Sequence, residues 1–359
     1  MTPEQHIGIS LGPLKHWNDG LGEFSRQLCH TLARQAAQLR DERGWRLHFH
    51  LPQAFHGEFG DAVGYLDTHT SQRWLHLRST RFALWHTLHQ FIRLQPPLFT
   101  ARRIETVHDL NFLYAKGPLR MMRYRARQRR RLARCEVAVA ITQYVADEIA
   151  RELAPLTTPI RVVHNGVSDL SAVAQEAVAG LCDRPYLLHL SGMAPNKNVD
   201  ALLQLAQAWP DQALVLAGAT GKGTARTAAQ VSAMGLRNVQ LLTNVSIGQK
   251  AWLYAHCRGF LFPSLAEGFG LPPVEAMHFG KSVFLSRLTS LPEIAGVAAH
   301  YFDDFDAAAM RLTIEAGLAE DTAPGRTEAI RAQARIFSWE RCATGYISLY
   351  DRLLQAGSR

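Results

Sequence analysis

Paired cysteines, long apolar runs and repetitive tracts are all missing from this sequence. Its five cysteines, Cys29, Cys135, Cys182, Cys257 and Cys342, are odd in number and widely spaced. Neither a disulfide framework nor a cysteine-based metal site is therefore expected. No apolar run approaches the ~18 residues of a membrane span, and the first residues lack the apolar core of a signal peptide. These absences predict a soluble, cytoplasmic protein with reduced thiols.

What is present is enough apolar sequence for two packed domains. The chain has 359 residues, of which 47% are hydrophobic, and one core does not comfortably hold that many. Short apolar runs alternate with longer amphipathic stretches, which predicts an α/β fold of two doubly wound, Rossmann-like domains. The predicted strands are 7–11, 47–51, 74–77, 104–107, 137–141, 160–163, 186–190, 213–217, 239–242, 260–262 and 283–285. The predicted helices include 23–37, 199–208, 247–257 and 339–354.

The most informative stretch is 267–275, Glu-Gly-Phe-Gly-Leu-Pro-Pro-Val-Glu. It follows a strand-like run at 259–263, and ligands of open α/β sheets bind beyond the carboxyl ends of strands. Proline is tolerated where a helix begins, so a helix is predicted over 272–279, with Gly280 to stop it. The alternative is an ordinary strand–turn–helix corner with two solvated glutamates.

If the stretch is a site, its backbone and its two carboxylates have separate tasks. Loop amides and a helix N-terminus that converge on one point would bind an anion such as a diphosphate. The amides are those of Gly268, Phe269, Gly270 and Leu271. Glu275 would lie in the first helical turn, free to accept hydrogen bonds from a vicinal diol. Glu267 would lie on the loop, nearer the group that the diphosphate carries, and the combination predicts a nucleotide-sugar site.

The same stretch, with Phe262-Pro263-Ser264 before it and Ala276-Met277 after it, resembles the Glu-x7-Glu signature of family 4 retaining glycosyltransferases. Matching segments recur in order over almost the whole chain, although 40–100 is only weakly similar. They are 20–23, 107–110, 164–167, 191–192, 196–198, 290–296 and 337–340. The resemblance implies the GT-B fold, in which two Rossmann-like domains face each other across a cleft. It also implies an acceptor-side domain at 1–168, a nucleotide-sugar domain at 169–338, and a helix at 339–359 that crosses back.

In the carboxyl half, the resemblance implies further donor contacts. Lys197 matches the family's phosphate-binding lysine and would act as a point charge on the leaving group. Gly192 and Asn196 belong to the same loop, and Val245 lies in the segment 243–246 that would touch the base through its backbone. Many members have an arginine directly after the glycine, where this chain has Met193. The diphosphate would then depend more on Lys197 and the loop amides.

In the amino half, the His108-Asp109 pair follows a predicted strand and matches the family's histidine motif. His108 could donate a hydrogen bond to a sugar hydroxyl or polarise the departing phosphate. Asp109 would contact substrate or only orient the loop. Gly22, in a glycine turn before the predicted helix 23–37, would lie near the donor diphosphate; on its own, a glycine there is ordinary turn chemistry.

A basic segment at 119–134 has eight arginines and no acidic residue, within a chain of net charge +8. The arginines are Arg120, Arg123, Arg125, Arg127, Arg129, Arg130, Arg131 and Arg134. Such a helix suits an anionic membrane surface, and a merely solvated basic face is the alternative. A nucleic-acid partner is not expected, because no aromatic-interleaved basic groove or known binding motif is present.

The combined expectation is a retaining hexosyltransferase that uses a nucleotide sugar and needs no metal or other cofactor. GDP-mannose is the first choice of donor and a lipopolysaccharide or other surface glycan is the expected acceptor. Glu267 and His108 are the predicted catalytic residues. The alternatives are a UDP-sugar-dependent transferase, an epimerase or phosphorylase of the same fold, and a non-catalytic nucleotide-sugar-binding protein. Asp303, Asp304 and Asp306 resemble an aspartate metal motif only superficially.

Overall fold

The computed structural model describes residues 4–17, 20–111, 117–181 and 185–355. The chain divides into two compact units. Unit 1 comprises Met1–Gly166 and Ser338–Arg359, and unit 2 comprises Val167–Phe337. The boundaries predicted from the sequence, at 168 and 338, fall within two residues of these limits.

Unit 1 is built on a seven-stranded sheet in the order β3-β2-β1-β4-β5-β6-β7, whose neighbouring strands are parallel. Its strands are β1 (Gln5–Ser10), β2 (Trp45–Leu51), β3 (Gly64–Asp67), β4 (Phe82–Thr87), β5 (Thr100–Val107), β6 (Val137–Ala140) and β7 (Ile160–Val162). Its helices are α1 (Gly20–Arg34), α2 (Ala36–Arg43), α3 (Pro118–Leu132), α4 (Gln143–Glu152) and the closing helix α12 (Trp339–Gln355).

Unit 2 has a six-stranded parallel sheet in the order β10-β9-β8-β11-β12-β13. Its strands are β8 (Tyr186–Leu190), β9 (Ala213–Gly218), β10 (Val239–Thr243), β11 (Gly259–Phe262), β12 (Ser282–Ser286) and β13 (His300–Phe302). Its helices are α5 (Val199–Ala208), α6 (Lys222–Ala233), α7 (Ile247–His256), α8 (Leu271–His278), α9 (Leu291–Ala295), α10 (Ala307–Glu320) and α11 (Arg326–Ala334).

Helix α12 closes unit 1 through both apolar and polar contacts. Tyr346 and Tyr350 are fully buried against the sheet, and the Tyr346 hydroxyl lies 2.9 Å from Thr106 Oγ1. The Tyr350 hydroxyl lies 2.6 Å from His86 Nδ1. Because buried hydroxyl groups need such partners, these bonds fix how the helix lies on β4 and β5.

The prediction of two doubly wound Rossmann-like domains is confirmed, but one predicted strand is wrong. Residues 74–77 form no strand, and Trp74, Leu75 and Leu77 are more than half exposed. Three strands, β3, β4 and β13, were missed. The predicted helix 23–37 begins three residues earlier and is divided at Gln35, where α1 gives way to α2.

Candidate functional site

The carboxyl ends of four neighbouring strands of unit 2 meet at one edge of its sheet, because those strands are parallel. The segment Ser191-Gly192-Met193 follows β8, Val245 follows β10, and the loop 263–270 follows β11. This edge brings together most of the residues predicted for the carboxyl half, and it is the place where open α/β sheets bind ligands.

Lys197 and Glu267, 70 residues apart in sequence, form an ion pair at this edge. Lys197 Nζ lies 2.5 Å from Glu267 Oε1, and both side chains are largely buried. The ammonium also lies 5.3 Å from the centre of the Phe262 ring, and the Ser264 hydroxyl donates to the same carboxylate oxygen at 2.6 Å. Three donors on the ammonium group leave Lys197 able to meet a second anion.

The loop that carries Glu267 is fixed by its neighbours rather than by regular structure. Asn196 Nδ2 donates to Ala266 O at 3.0 Å, and Glu267 N donates to Thr289 Oγ1 at 3.1 Å. The Ser290 hydroxyl lies 3.1 Å from Glu267 O. These bonds hold Glu267 and its ion pair in one position.

Backbone amides just before α8 are left with no acceptor. The N–H groups of Phe269, Gly270 and Leu271 donate to no other residue of the described chain, although Phe269 and Gly270 are buried. Gly270 takes the left-handed conformation (φ 100°), which glycine adopts without strain. Since buried N–H groups are nearly always paired in proteins, these three amides are available to bind an anion.

Glu275 differs from its prediction in two respects. Helix α8 begins at Leu271, so Glu275 is its fifth residue and lies in the second turn rather than the first. Its carboxylate is also not free, since Lys250 Nζ donates to Oε1 at 2.7 Å and the Tyr254 hydroxyl donates to Oε2 at 2.7 Å. Each oxygen still has a lone pair to offer. Burial, followed by the Glu275 charge, raises the pKa of Tyr254, so its hydroxyl stays a donor.

His189 was not found from the sequence, yet it anchors the loop after β8. Its Nδ1 lies 2.8 Å from Leu261 O and its Nε2 lies 2.7 Å from Ser191 Oγ, which makes Nδ1 the protonated nitrogen. Ser191 Oγ in turn accepts from Met193 N at 3.0 Å. Burial lowers the pKa of His189 to about 4, so the ring is neutral and keeps this pattern.

The remaining donor-side predictions lie on the same edge. Gly192 is exposed beside Met193, whose own side chain is buried in the core of unit 2 despite a φ of 52°. Met193 therefore packs inward and does not replace an arginine as a ligand group. Val245 is half-buried in the turn before α7, where Ser246 caps that helix by accepting from Gln249 N at 3.0 Å.

His108 and Asp109 belong to unit 1, after β5. His108 is buried, and its Nε2 lies 3.0 Å from Leu88 O, so Nε2 carries the proton. Burial lowers the pKa of His108 to about 4. The neutral ring can accept through Nδ1 but has no second proton to give, which corrects the expectation that it donates. Asp109 Oδ1 accepts from Asn111 N at 3.1 Å, a local turn bond that orients the loop.

Gly22 is not in a loop before a helix. Helix α1 begins at Gly20, so Gly22 is buried in its first turn. A Cβ atom there would lie 3.0 Å from the backbone of Trp17. This close approach is enough to explain why the position is a glycine, and no ligand contact is needed to explain it.

The basic segment forms helix α3, and its arginines do not all face solvent. Six of the eight are exposed, and the other two, Arg125 and Arg131, are half-buried. Arg125 pairs with Glu152, and Arg131 Nη2 lies 2.7 Å from Glu105 Oε2. Two arginines of the segment are thus paired with carboxylates that lie outside it. Across the described ranges, no helix is both long and apolar enough to cross a membrane.

The three aspartates after β13 have structural partners. Asp303 Oδ1 accepts from Arg287 at 2.8 Å, Asp304 Oδ1 accepts from Asp306 N, and Asp306 caps α10. Within the described parts of the chain, no three His, Cys, Asp or Glu side chains are grouped so that they could hold a metal ion. Whether the protein needs a metal stays a prediction.

Fold and site together define a two-unit chain of the GT-B type with a candidate anion and hydroxyl site in unit 2. Residues 176–328 match the model of a family described as Glycosyl transferases group 1. O-antigen chain mannosyltransferase B of Escherichia coli is 37% identical over 181 residues, which cover 47% of this chain and 46% of that protein. The chain thus spans about half the length of this curated relative.

Solved structures support the fold over nearly the whole chain. Sucrose-phosphate synthase from Thermosynechococcus elongatus superposes with a TM-score of 0.73 at 18% identity, covering 99% of this chain and 100% of that one. Anabaena Alr3699/HepE, in complex with UDP and glucose, gives a TM-score of 0.65 at 16% identity, covering 98% and 99%. These structures show the GT-B fold, and the family match and the Escherichia coli relative support the prediction of a glycosyltransferase. Membership of family 4 stays a prediction.

Proposed function

We propose that this protein is a glycosyltransferase that moves a hexosyl residue from a nucleotide sugar to a glycan acceptor. The observation that carries the proposal is the edge of the unit 2 sheet. There, the amides of Phe269, Gly270 and Leu271, which have no acceptor among the described residues, lie in sequence between Glu267 on the loop and Glu275 on α8, and a lysine pairs with each of these carboxylates. A diphosphate and a set of hydroxyls are the partners that such groups fit.

In this proposal, each group has one task. The amides and Lys197 hold the donor diphosphate and stabilise its charge as the glycosidic bond breaks. Glu275 accepts from the ribose hydroxyls, and Glu267 accepts from hydroxyls of the transferred sugar. His108 stays a predicted sugar contact that accepts a hydrogen bond. The resemblance implies retention at the anomeric carbon. Because no residue is an obvious covalent nucleophile, we favour a same-face substitution through an oxocarbenium-like transition state.

GDP-mannose is the proposed donor and a lipopolysaccharide intermediate the proposed acceptor. The Escherichia coli relative is an O-antigen chain mannosyltransferase, which supports mannose as the sugar and a surface glycan as the acceptor. UDP-glucose is the second candidate, because Anabaena Alr3699/HepE, of the same fold, was solved with UDP and glucose. A contact between the exposed arginines of α3 and an anionic membrane surface belongs to the same proposal, as does the cytoplasmic location predicted from the sequence.

The proposal is tested by separating turnover from donor binding. Glu267→Gln keeps the shape of the side chain but removes its charge, so we expect kcat to fall by at least about 100-fold with little change in donor Kd. Glu275→Ala should weaken donor binding by about 10-fold or more, because it removes a charged hydrogen-bond acceptor. Calorimetric titration with GDP-mannose and UDP-glucose, together with a transfer assay, gives both quantities.

Glu315→Gln provides the matched control, since Glu315 is a half-exposed carboxylate on α10 that pairs with Arg311 of the same helix. It should change neither quantity. Equal activity in the Glu267 and Glu275 variants would refute the assignment of the site. Donor binding without any transfer, across a panel of acceptors, would instead favour the non-catalytic alternative.

A further inference from the structure

Unit 1 has a cavity of about 400 Å³ on one face of its sheet. Strands β4 and β5 are parallel neighbours, and such strands are usually joined by a helix that covers the sheet. Here the connection 88–99 contains no helix, so part of the sheet face is covered only by loops and by one side of α3. Trp85 and Arg103, which pair in register, lie on the floor of this space.

The polar lining of the cavity is strongly basic. Six guanidinium groups reach it, and Glu105 contributes the one carboxylate. Glu105 is already satisfied, since it accepts from Arg131 Nη2 at 2.7 Å and from Gln128 Nε2 at 2.7 Å. Five arginines remain that have no carboxylate within 4 Å anywhere in the described chain: Arg73, Arg93, Arg103, Arg127 and Arg134.

The indole N–H of Trp85 is a further donor that favours a ligand rich in acceptors. Trp85 lines the cavity and is 1% exposed, yet its indole Nε1–H meets no hydrogen-bond acceptor among the described residues. A buried N–H group without a partner costs about 1–3 kcal/mol. The Trp85 indole and the five arginines all offer donors, and a ligand that supplies acceptors would suit them.

The other walls of the cavity are apolar. Ile92, Leu94 and Pro96 line one side, and Trp74 stands exposed at the rim. Arginine binds phosphate groups through two parallel N–H donors, and apolar walls favour a ligand with a hydrocarbon part. A volume of about 400 Å³ is within the range of small-molecule sites.

We propose that this cavity binds a phosphate or diphosphate ester that carries an apolar group. The site is separate from the candidate donor site, which belongs to unit 2, and the inference does not rest on the proposed function. The shared chemistry is the phosphate ester. Its source is either a soluble compound or the headgroup of a membrane lipid.

The test uses geranyl diphosphate and inorganic pyrophosphate as probes in calorimetric titrations of the full chain. All proteins carry Lys197→Ala, so that the candidate site of unit 2 contributes less to the signal. We expect geranyl diphosphate to bind at least about 10-fold more tightly than pyrophosphate, because only the first has a part that the apolar walls would bury. The double variant Arg127→Gln/Arg134→Gln should weaken geranyl diphosphate by about 100-fold, since each lost charged contact contributes about 10-fold.

Arg120→Gln/Arg129→Gln is the matched control, because it removes the same charge from the same segment outside the cavity. It should leave geranyl diphosphate binding unchanged. Equal weakening by both pairs would overturn the proposal in favour of general surface charge, and so would binding that neither pair affects. Equal affinity for geranyl diphosphate and pyrophosphate would overturn the proposal that the ligand carries an apolar group.

Sedimentation with phosphatidylglycerol vesicles, against phosphatidylcholine vesicles, then identifies the source. If the Arg127/Arg134 variant loses vesicle binding and the Arg120/Arg129 control keeps it, the ligand of the cavity is a lipid headgroup. Retention of vesicle binding in that variant assigns it to a soluble ester. Donor binding to the protein with Lys197 intact tests the proposed function separately, so the two proposals can fail independently.

Discussion

Acidification should unfold unit 1 at a pH at which most proteins remain folded. His50, His86, His89 and His108 are four of the buried histidines of this unit. Burial lowers the pKa of the first three to about 3 and that of His108 to about 4. In the unfolded chain the same rings have a pKa near 6.5. The folded state therefore holds four neutral rings that the unfolded state protonates as the pH falls.

The sign and size of the effect follow from this difference in proton binding. The stability is fully present above pH 6.5 and is lost as the pH falls toward the folded-state pKa values. At pH 5, 1.5 units below the unfolded value, each histidine costs about 2 kcal/mol, since one pKa unit is about 1.36 kcal/mol. The four rings together therefore cost roughly 8 kcal/mol. Typical domain stabilities are about 5–15 kcal/mol.

Urea unfolding followed by circular dichroism at pH 7 and pH 5 measures the loss, and hydrogen exchange on peptides assigns it to a unit. His89→Gln should reduce the pH dependence by about 2 kcal/mol, because it removes one buried ring, whose Nδ1 has no partner in the described chain. His16→Gln, at an exposed histidine, is the control and should leave it unchanged. Equal free energies of unfolding at the two pH values, or a loss confined to unit 2, would refute the reasoning.

Two further substitutions test single contacts. Tyr254→Phe removes the 2.7 Å hydrogen bond to Glu275 Oε2, and we expect donor KM to rise by about 10-fold with kcat little changed. Tyr301→Phe is the control, because it loses a bond to a backbone carbonyl, and it should not alter KM. Gly166→Ala would place a Cβ atom 2.5 Å from Trp339 Cα and should lower stability by about 1–3 kcal/mol. Gly117→Ala, where the space is open, should not; equal melting temperatures would contradict the clash.

The fold of unit 2 was largely predictable because its buried strands are short runs of apolar residues. Strand β11 (Gly259–Phe262) is one example, and helix α5 (Val199–Ala208) has the bounds that its amphipathic pattern predicts. Unit 1 was harder to predict between 60 and 100. Strand β4 contains His86, a polar residue that is buried because Tyr350 and Thr106 bond both ring nitrogens. By contrast, the apolar side chains of Trp74, Leu75 and Leu77 stay exposed.

The candidate site shows the same limit on prediction. The sequence placed Glu267, Lys197 and the loop amides at the carboxyl edge of a sheet, since strand ends and turn residues are local features. It could not show that Lys250 and Tyr254 reach Glu275, because those contacts join residues 21 and 25 positions apart. The anchoring role of His189 also depends on a contact 72 positions away. Partners of this kind appear only when the strands are placed side by side.

The two lysine–carboxylate pairs have a consequence for how a diphosphate would bind. Lys197 and Lys250 are each matched by one glutamate at 2.5 and 2.7 Å, so these four side chains carry no net charge. An incoming diphosphate that binds Lys197 would therefore also meet the negative charge of the Glu267 carboxylate. The unpaired amides of Phe269, Gly270 and Leu271 bring positive dipole ends without a counter-charge. On the proposed function, we therefore expect the loop backbone, more than Lys197, to supply the affinity for phosphate. Glu267→Gln, which releases Lys197, should then change nucleotide binding little even as kcat falls by at least about 100-fold.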